Sequence, residues 1–235
     1  MSTEKIFRQE KAFFSIEGIN SIWEAVLDKA VQSSLPKDHE IEANHPDYFF
    51  FLLKGAVKLS CLSESGQERV VMRIGPGTLF NEVSHIHTSL FQSHSLHTLE
   101  ECVVARFPKS ILEDKDFFRQ NPELACNLIH SLGIKAGAFF AQLFDSGLLE
   151  VSTRVSRSLY QLWQENGESE SFSPGLTQSD LASTLGVHRS SLCRVIKALR
   201  QQGIIGKFTK TTLEILDPEA LSREAGGMLF QHLSL

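Results

Sequence analysis

Nowhere in this 235-residue chain do two cysteines stand close enough to form a CxxC metal pair. The four present are Cys61, Cys102, Cys126 and Cys193, and a disulfide framework would be unusual in a chain this long. They read as reduced thiols. The N-terminal segment MSTEKIFRQEKAFFSIEGI is polar, carries acids and lacks a hydrophobic signal core. No apolar run is seen that approaches a membrane span. The expectation is a soluble cytoplasmic protein with no membrane partner.

Another absence is local. Between Leu181 and Leu213 there is no Asp or Glu, although the whole chain has a formal net charge of -5. The same stretch holds Arg189, Arg194, Lys197, Arg200, Lys207 and Lys210. Read globally, the charge argues weakly against nucleic-acid binding. Read locally, a basic face on an acidic protein suits DNA as well as a basic whole does. Hydrophobic residues make up 42% and charged residues 22%, so a real core can be buried. The length allows roughly two domains.

From about Ile41 to Phe107 the pattern is strand-like, in short runs rich in Phe, Leu, Val and Ile. Phe49 to Leu53 leads into Gly55, Val57 to Leu62 alternates, Ser63 to Gln67 is a turn, and Val70 to Ile74 ends at Gly75-Pro76-Gly77. Cys102 to Phe107 is a last strand before Pro108. Such spacing predicts a small antiparallel barrel or jelly roll. The period then changes. From Pro122 to Gly147 apolar residues fall at Leu124, Leu128, Leu132, Ala136, Phe139 and Leu143, in steps of three and four, widened by Ile129, Phe140 and Phe144. This is one long helix. Its stripe suits either packing on its own barrel or a dimer seam, and its narrowness over several turns favours the seam. A second helix carries Val155, Leu159, Leu162 and Trp163 on one face, with Ser152 or Thr153 as its cap. Gly147 to Ser152 reads as a hinge and Glu165 to Ser171 as a surface loop.

The strongest signal is Thr177-Gln178-Ser179-Asp180-Leu181-Ala182-Ser183-Thr184-Leu185-Gly186-Val187-His188-Arg189-Ser190-Ser191-Leu192-Cys193-Arg194-Val195-Ile196. Thr177 with Asp180 forms a capping box. Leu181, Ala182 and Leu185 are the buried side of a short helix, Gly186 turns the chain and Val187 plugs the turn. A second helix from about Arg189 buries Leu192, Val195, Ile196 and Leu199 and presents Arg189, Ser190, Arg194 and Lys197. That is a helix-turn-helix, whose second helix enters the major groove. Ile204 to Phe208 and Thr211 to Ile215 read as a hairpin wing, with Lys207 and Lys210 suited to phosphates.

Barrel, long helix, hinge and winged helix-turn-helix together resemble the cyclic-AMP receptor protein/fumarate–nitrate regulator (CRP/FNR) superfamily over nearly the whole chain. Phe51-Leu52-Leu53-Lys54-Gly55-Ala56-Val57-Lys58-Leu59 is similar to that family's barrel signature, and Leu149-Glu150-Val151-Ser152-Thr153-Arg154-Val155 to its hinge. The resemblance implies an α+β fold. Residues 1–120 would be an antiparallel β-roll or jelly-roll sensor, 121–149 the dimerisation helix and hinge, and 150–235 the winged helix-turn-helix domain. It also implies a homodimer on palindromic promoter DNA, with RNA polymerase and a small effector as further partners, and no enzymatic activity. The expected DNA-contacting set is Thr177, Gln178, Ser179, His188, Arg189, Ser190, Ser191, Arg194, Lys197, Lys207 and Lys210. Many members have a Glu where Ser190 stands, so a different half-site is expected.

The implied effector pocket comprises Leu79, Phe80, Glu82, Gln92, Ser93, Phe139 and Phe140. Glu82 matches the position that holds a ribose, while Asn81 replaces the preceding glycine. Gln92-Ser93 stands where an Arg-Ser pair would hold a cyclic phosphate, which loses a charge-assisted contact. Phe139-Phe140 replaces the Thr-Ser pair that meets adenine. Cyclic AMP is therefore disfavoured. An iron–sulfur cluster is disfavoured too, because no Cys precedes Cys61. An apolar or aromatic small molecule, a haem or no ligand remain open, and the chain faintly resembles halorespiration regulators. His85, His87, His94 and His97 suit either haem or metal ligation or a solvated hairpin. A metal-dependent cupin is excluded, since Gly77 lies too far before His85 and Thr88 to Ser95 holds no acid. The alternatives are a haem- or gas-sensing regulator of the same family and a sensor module that does not bind DNA.

Overall fold

The computed structural model describes residues 15–42, 45, 47–62, 68–83 and 94–226. The chain divides into two compact units, with the boundary along the main path between Phe139 and Phe140. Twelve strands and six α-helices are described.

The first unit is a β-roll of two sheets. Strands β1 (Ser15–Ile16), β3 (Glu40–Ile41), β5 (Val57–Leu62), β6 (Glu68–Ile74) and β8 (His94–Thr98) form one, in the order β1-β6-β5-β8-β3. Strands β2 (Val31–Leu35), β4 (Tyr48–Lys54), β7 (Thr78–Phe80) and β9 (Cys102–Pro108) form the other, in the order β2-β9-β4-β7. The expectation of a wholly antiparallel roll needs one correction. β1 pairs with β6 in parallel, Ser15 opposite Arg73 and Ile16 opposite Ile74.

The unbroken apolar run of β4 has a physical reason. Phe50 and Leu52 face the roll interior with Met72, Ile74 and Val104. Phe49 and Phe51 face a second core with Trp23, Phe107 and Leu124. A strand buried on both faces loses the polar alternation of a half-exposed one. Phe49 stacks on Phe107 at 5.3 Å and Trp23 meets both edge-on at 5.7 Å. Lys109, at the exit of β9, is buried and donates to the His45 carbonyl at 2.6 Å, and burial pulls its ammonium pKa down.

The β4–β5 turn depends on Gly55, whose φ of +93° lies in the left-handed region. A Cβ there would stand 2.6 Å from Cys102 Sγ and 2.7 Å from the Glu101 carbonyl oxygen. Gly55→Ala is therefore expected to lose at least about 1–3 kcal/mol through backbone strain. Urea denaturation checks this; an unchanged midpoint would show that the turn relaxes at no cost. Cys102 is itself buried, donates weakly to the Ala56 carbonyl at 3.4 Å, and has its thiol pKa pushed up by burial. None of Cys61, Cys102, Cys126 and Cys193 is joined in a disulfide.

Helix α1 (Lys115–Gln120) is capped by Asp114, whose side chain accepts from the Asp116 and Phe117 amides. Helix α2 (Pro122–Leu148) follows, with 27 residues and a length of about 40 Å. By length and composition it is apolar enough to cross a membrane, contrary to the sequence expectation that no segment is. One face is nevertheless committed to the roll. Leu124, Ser131 and Ala138 are buried there, and Leu128 and Ile134 pack against its cores.

The long stripe expected as a single seam is split. Ile129, Phe139, Phe140, Leu143, Phe144 and Leu148 are exposed, Phe140 and Ile129 at 72% each. A step of four residues advances about 40° around a helix, so the path Leu124–Leu128–Leu132–Ala136 turns by about 120°. It starts on the roll and ends on the open face.

In the second unit, helix α3 (Val151–Glu165) buries Val155, Leu159 and Leu162. The break before it falls at Leu149–Glu150, inside the expected hinge. Its N-cap is Glu150, with no side-chain capping bond, and not Ser152 or Thr153. Helices α4 (Gln178–Leu185) and α5 (Arg189–Gln201) follow, then α6 (Pro218–Glu224). A third sheet orders β10 (Ser171–Phe172), β12 (Leu213–Ile215) and β11 (Ile205–Phe208), with β10 beginning at the last residue of the segment expected to be loop.

Candidate nucleic-acid interface and effector pocket

Local devices fix both ends of α4 and its turn into α5. The capping box is complete: Thr177 Oγ1 accepts from the Asp180 amide at 3.1 Å, and Asp180 Oδ2 accepts from the Thr177 amide at 2.7 Å. Gly186 caps α4 in the left-handed conformation, φ 60° and ψ 40°. Val187 is buried after it, and its amide donates back to the Ala182 carbonyl at 3.0 Å. Ala182 is buried between the helices, as the small residue expected there. Arg154 of α3 adds a hydrogen bond to the Leu185 carbonyl.

Helix α5 has two unlike faces. Leu192, Ile196 and Leu199 are buried in a core with Val155, Leu159, Leu181 and Phe208. His188, Arg189, Ser190, Arg194 and Lys197 are exposed. Ser191 is half-buried and accepts from Arg194 Nη2 at 3.1 Å. Ser179 is exposed in the first turn of α4. On the wing, Lys207 is exposed on β11 and Lys210 inside the turn closed by the Thr209 amide on the Thr212 carbonyl, 2.8 Å. The acid that ends the acid-free stretch, Glu214, turns back and accepts from the Lys207 amide at 2.7 Å. Two expected contact residues are occupied internally. Thr177 serves as the cap, and Gln178 bonds both Phe208 and Cys193.

In the roll, Glu82 is 5% exposed and forms an ion pair with Lys135 of α2. Lys135 Nζ also donates to the Leu79 carbonyl at 2.8 Å. The reason lies in the sheet. β7 is an edge strand, so its outward backbone groups lack a strand partner. The Leu79 amide is met by Asn20 Oδ1 at 3.0 Å and its carbonyl by Lys135. Asn20 in turn donates to Asn127 Oδ1 at 2.8 Å, and Asn127 donates to the Ile19 carbonyl at 2.8 Å. Helix α2 thus holds β7 from two positions, Asn127 and Lys135.

Leu79 and Phe80 are buried, with Phe80 stacked on Phe50 at 5.1 Å. Phe139 and Phe140 are exposed and do not line the roll beside them; Ala138 is the buried residue at that level. Gln92, Ser93, His85 and His87 lie outside the described residues. His94 and His97 both lie on β8, three residues apart and so on opposite faces of the strand, and among the described residues no group of three or more His, Cys, Asp or Glu could hold a metal. Sequence pattern alone does not point to Lys135, although it is the one charged residue of α2 between Glu123 and Asp145.

Two family models match the chain, a cyclic nucleotide-binding domain over residues 36–115 and a Crp-like helix-turn-helix domain over 153–224. The CRP-like cAMP-activated global transcriptional regulator of Mycobacterium tuberculosis is 26% identical over 216 residues, covering 89% of this chain and 95% of that protein. The c-di-GMP responsive global regulator CLP of Xanthomonas campestris superposes with a TM-score of 0.69 at 18% identity, covering 83% of this chain and 98% of that one. CprK in complex with OCPA gives a TM-score of 0.66 at 16% identity, covering 85% and 92%. The small molecules in those three names differ.

Proposed function

Because the chain belongs to the CRP/FNR superfamily of transcription regulators, we propose that it binds palindromic promoter DNA as a homodimer under control of a small effector held by the β-roll. The observation that carries this reading is the two-faced α5. Its apolar side is fixed in a core, while Arg189, Ser190, Arg194 and Lys197 stand exposed on the other side in a stretch without acids. A helix so held can enter a major groove with its N-terminal side chains at base edges. The exposed Lys207 and Lys210 then face phosphates beside the groove. RNA polymerase is the expected further partner, and the cytoplasm the expected location. Selection from a pool of random duplexes tests the reading. The expected outcome is an inverted repeat with half-sites about one helical turn apart. Recovery of unselected sequence would overturn it.

The second copy is proposed to dock on the open face of α2, where Ile129, Phe140, Leu143 and Phe144 leave an apolar strip uncovered. Phe139 and Phe140 belong to this seam in preference to the effector pocket. Since these side chains are exposed in the single chain, Phe140→Asp with Leu143→Asp should give a folded monomer. Analytical ultracentrifugation with circular dichroism checks it; a dimer of unchanged stability would refute the seam.

The effector is proposed to act where Glu82 meets Lys135. Any ligand hydroxyl seeking Glu82 competes with an ammonium already seated there. With Gln92 in place of a phosphate-binding arginine, cyclic AMP is disfavoured, and calorimetry should detect no micromolar binding.

A further inference from the structure

The wing has a free edge. In the sheet order β10-β12-β11, β11 is outermost, so it has backbone groups without a strand partner, and its pairing with β12 is interrupted by an irregularity between Ile205 and Phe208. Three carbonyls, those of Gly206 and Phe208 on β11 and of Lys210 in the turn that follows it, are met from outside the sheet. Each accepts a hydrogen bond from the helix-turn-helix or its lead-in: Gly206 from Arg200 Nε at 2.8 Å, Phe208 from Gln178 Nε2 at 3.3 Å, and Lys210 from the Gly175 amide at 3.1 Å. The wing is therefore tied to the helix-turn-helix and its lead-in at three points along β11 and its turn.

The middle stitch differs from the other two. Gln178 lies at the first position of α4, and its carboxamide works in two directions. While the nitrogen holds the wing, the oxygen accepts from the Cys193 thiol of α5 at 3.6 Å. Cys193 sits one residue before Arg194 and four after Arg189, with its side chain half-buried. Phe208, whose carbonyl is held, has its ring 3% exposed in the core and is the neighbour of Lys207. One amide thus joins the recognition helix to the strand that carries the phosphate-facing lysine. An Asn would be a methylene too short to span the same two partners, and a Leu or Met would leave the Phe208 carbonyl and a thiol unanswered.

We infer that Gln178 is a positioning residue for DNA reading, which sets the wing against the recognition helix and does not itself contact the nucleic acid. The inference rests on the DNA-binding reading above and assigns Gln178 a role different from the direct contact expected of it in sequence. A direct phosphate contact and a positioning bridge predict different couplings. A contact acts independently of Lys207. A bridge acts through it, because a wing that is no longer held delivers its lysines poorly.

The test uses the full-length protein and the duplex that the wild type selects from a random pool. If the wild type selects none, the DNA reading fails and not the bridge. On the selected duplex, Kd is measured against salt by fluorescence anisotropy for wild type, Gln178→Met, Lys207→Ala and the pair. Gln178→Met should flatten the log Kd–log salt slope by about one unit for each phosphate that the wing no longer neutralises. Lys207→Ala should then add little, so the two effects are strongly non-additive. Preferences at single bases should persist. Cys193→Ala should shift the slope in the same direction, and Cys193→Ser, which keeps a donor, should stay near wild type. This arm carries the test where Gln178→Met impairs folding. An unchanged slope, or effects of Gln178→Met and Lys207→Ala that simply add, would overturn the inference.

Discussion

Replacing Arg189 by alanine is expected to weaken operator binding by about 1–3 kcal/mol in each half-site, and to do so by erasing preference at one base position. The side chain is exposed at the first residue of α5, the end that a helix-turn-helix puts against base edges. A guanidinium offers two parallel donors that match guanine O6 and N7, which a lysine or a serine does not. In a dimer the loss is counted twice, so it is among the largest single-residue effects open to this protein. Lys207 and Lys210 should behave otherwise. Their loss should weaken all sequences alike and reduce the salt dependence. Competition against single-base variants of the operator, at two salt concentrations, separates the two kinds of residue. If Arg189→Ala left base preference intact while Lys207→Ala altered it, the roles of reader and anchor would be exchanged.

That much of the interface is legible in sequence because its signals are local. The capping box needs Thr177 and Asp180 at a spacing of three, the turn needs Gly186 in a left-handed conformation, and both are present. The roll is legible as well, since Gly55 and Gly75-Pro76-Gly77 break apolar runs at regular intervals. What is not legible depends on which of several surfaces an apolar residue meets. Leu124 and Leu143 belong to one pattern of threes and fours, yet one is 1% exposed against the roll and the other 67% exposed. Periodicity reports that a face exists and not what covers it. The parallel pairing of β1 with β6 rests on two residues, too few to carry a pattern. Gln178 stands on the outer turn of the motif, where a DNA contact is expected, but its partners Phe208 and Cys193 are 30 and 15 residues away in sequence.

Lys135 is the clearest case of a residue whose role sequence pattern does not show. A single ammonium among the apolar side chains of α2 is costly to bury, so it must have a reason. The edge strand β7 supplies one partner, the Leu79 carbonyl, and Glu82 the other. The pair is nearly closed to solvent, with side-chain exposures of 12% for Lys135 and 3% for Glu82. Desolvating two charges offsets most of their attraction, so the pair is weak evidence of net stability. Breaking it is another matter.

Lys135→Met should therefore destabilise the protein by about 3–5 kcal/mol, because Glu82 is left buried without its counter-charge and the Leu79 carbonyl loses its donor. Glu82→Leu should cost a comparable amount through the stranded ammonium, eased by the flexible lysine stem, which can carry the charge toward solvent. The double replacement should recover most of the loss, since no buried charge remains. Urea denaturation of wild type, both single variants and the pair measures the coupling directly. The same set reports on the sensor. If Glu82 is held by Lys135 until an effector competes for it, Glu82→Leu should abolish effector-dependent DNA binding even where the double variant is as stable as wild type. Single variants whose losses merely add in the pair would show that the two charges are solvated separately. The tie between α2 and β7 would then rest on Asn127 and Asn20 alone.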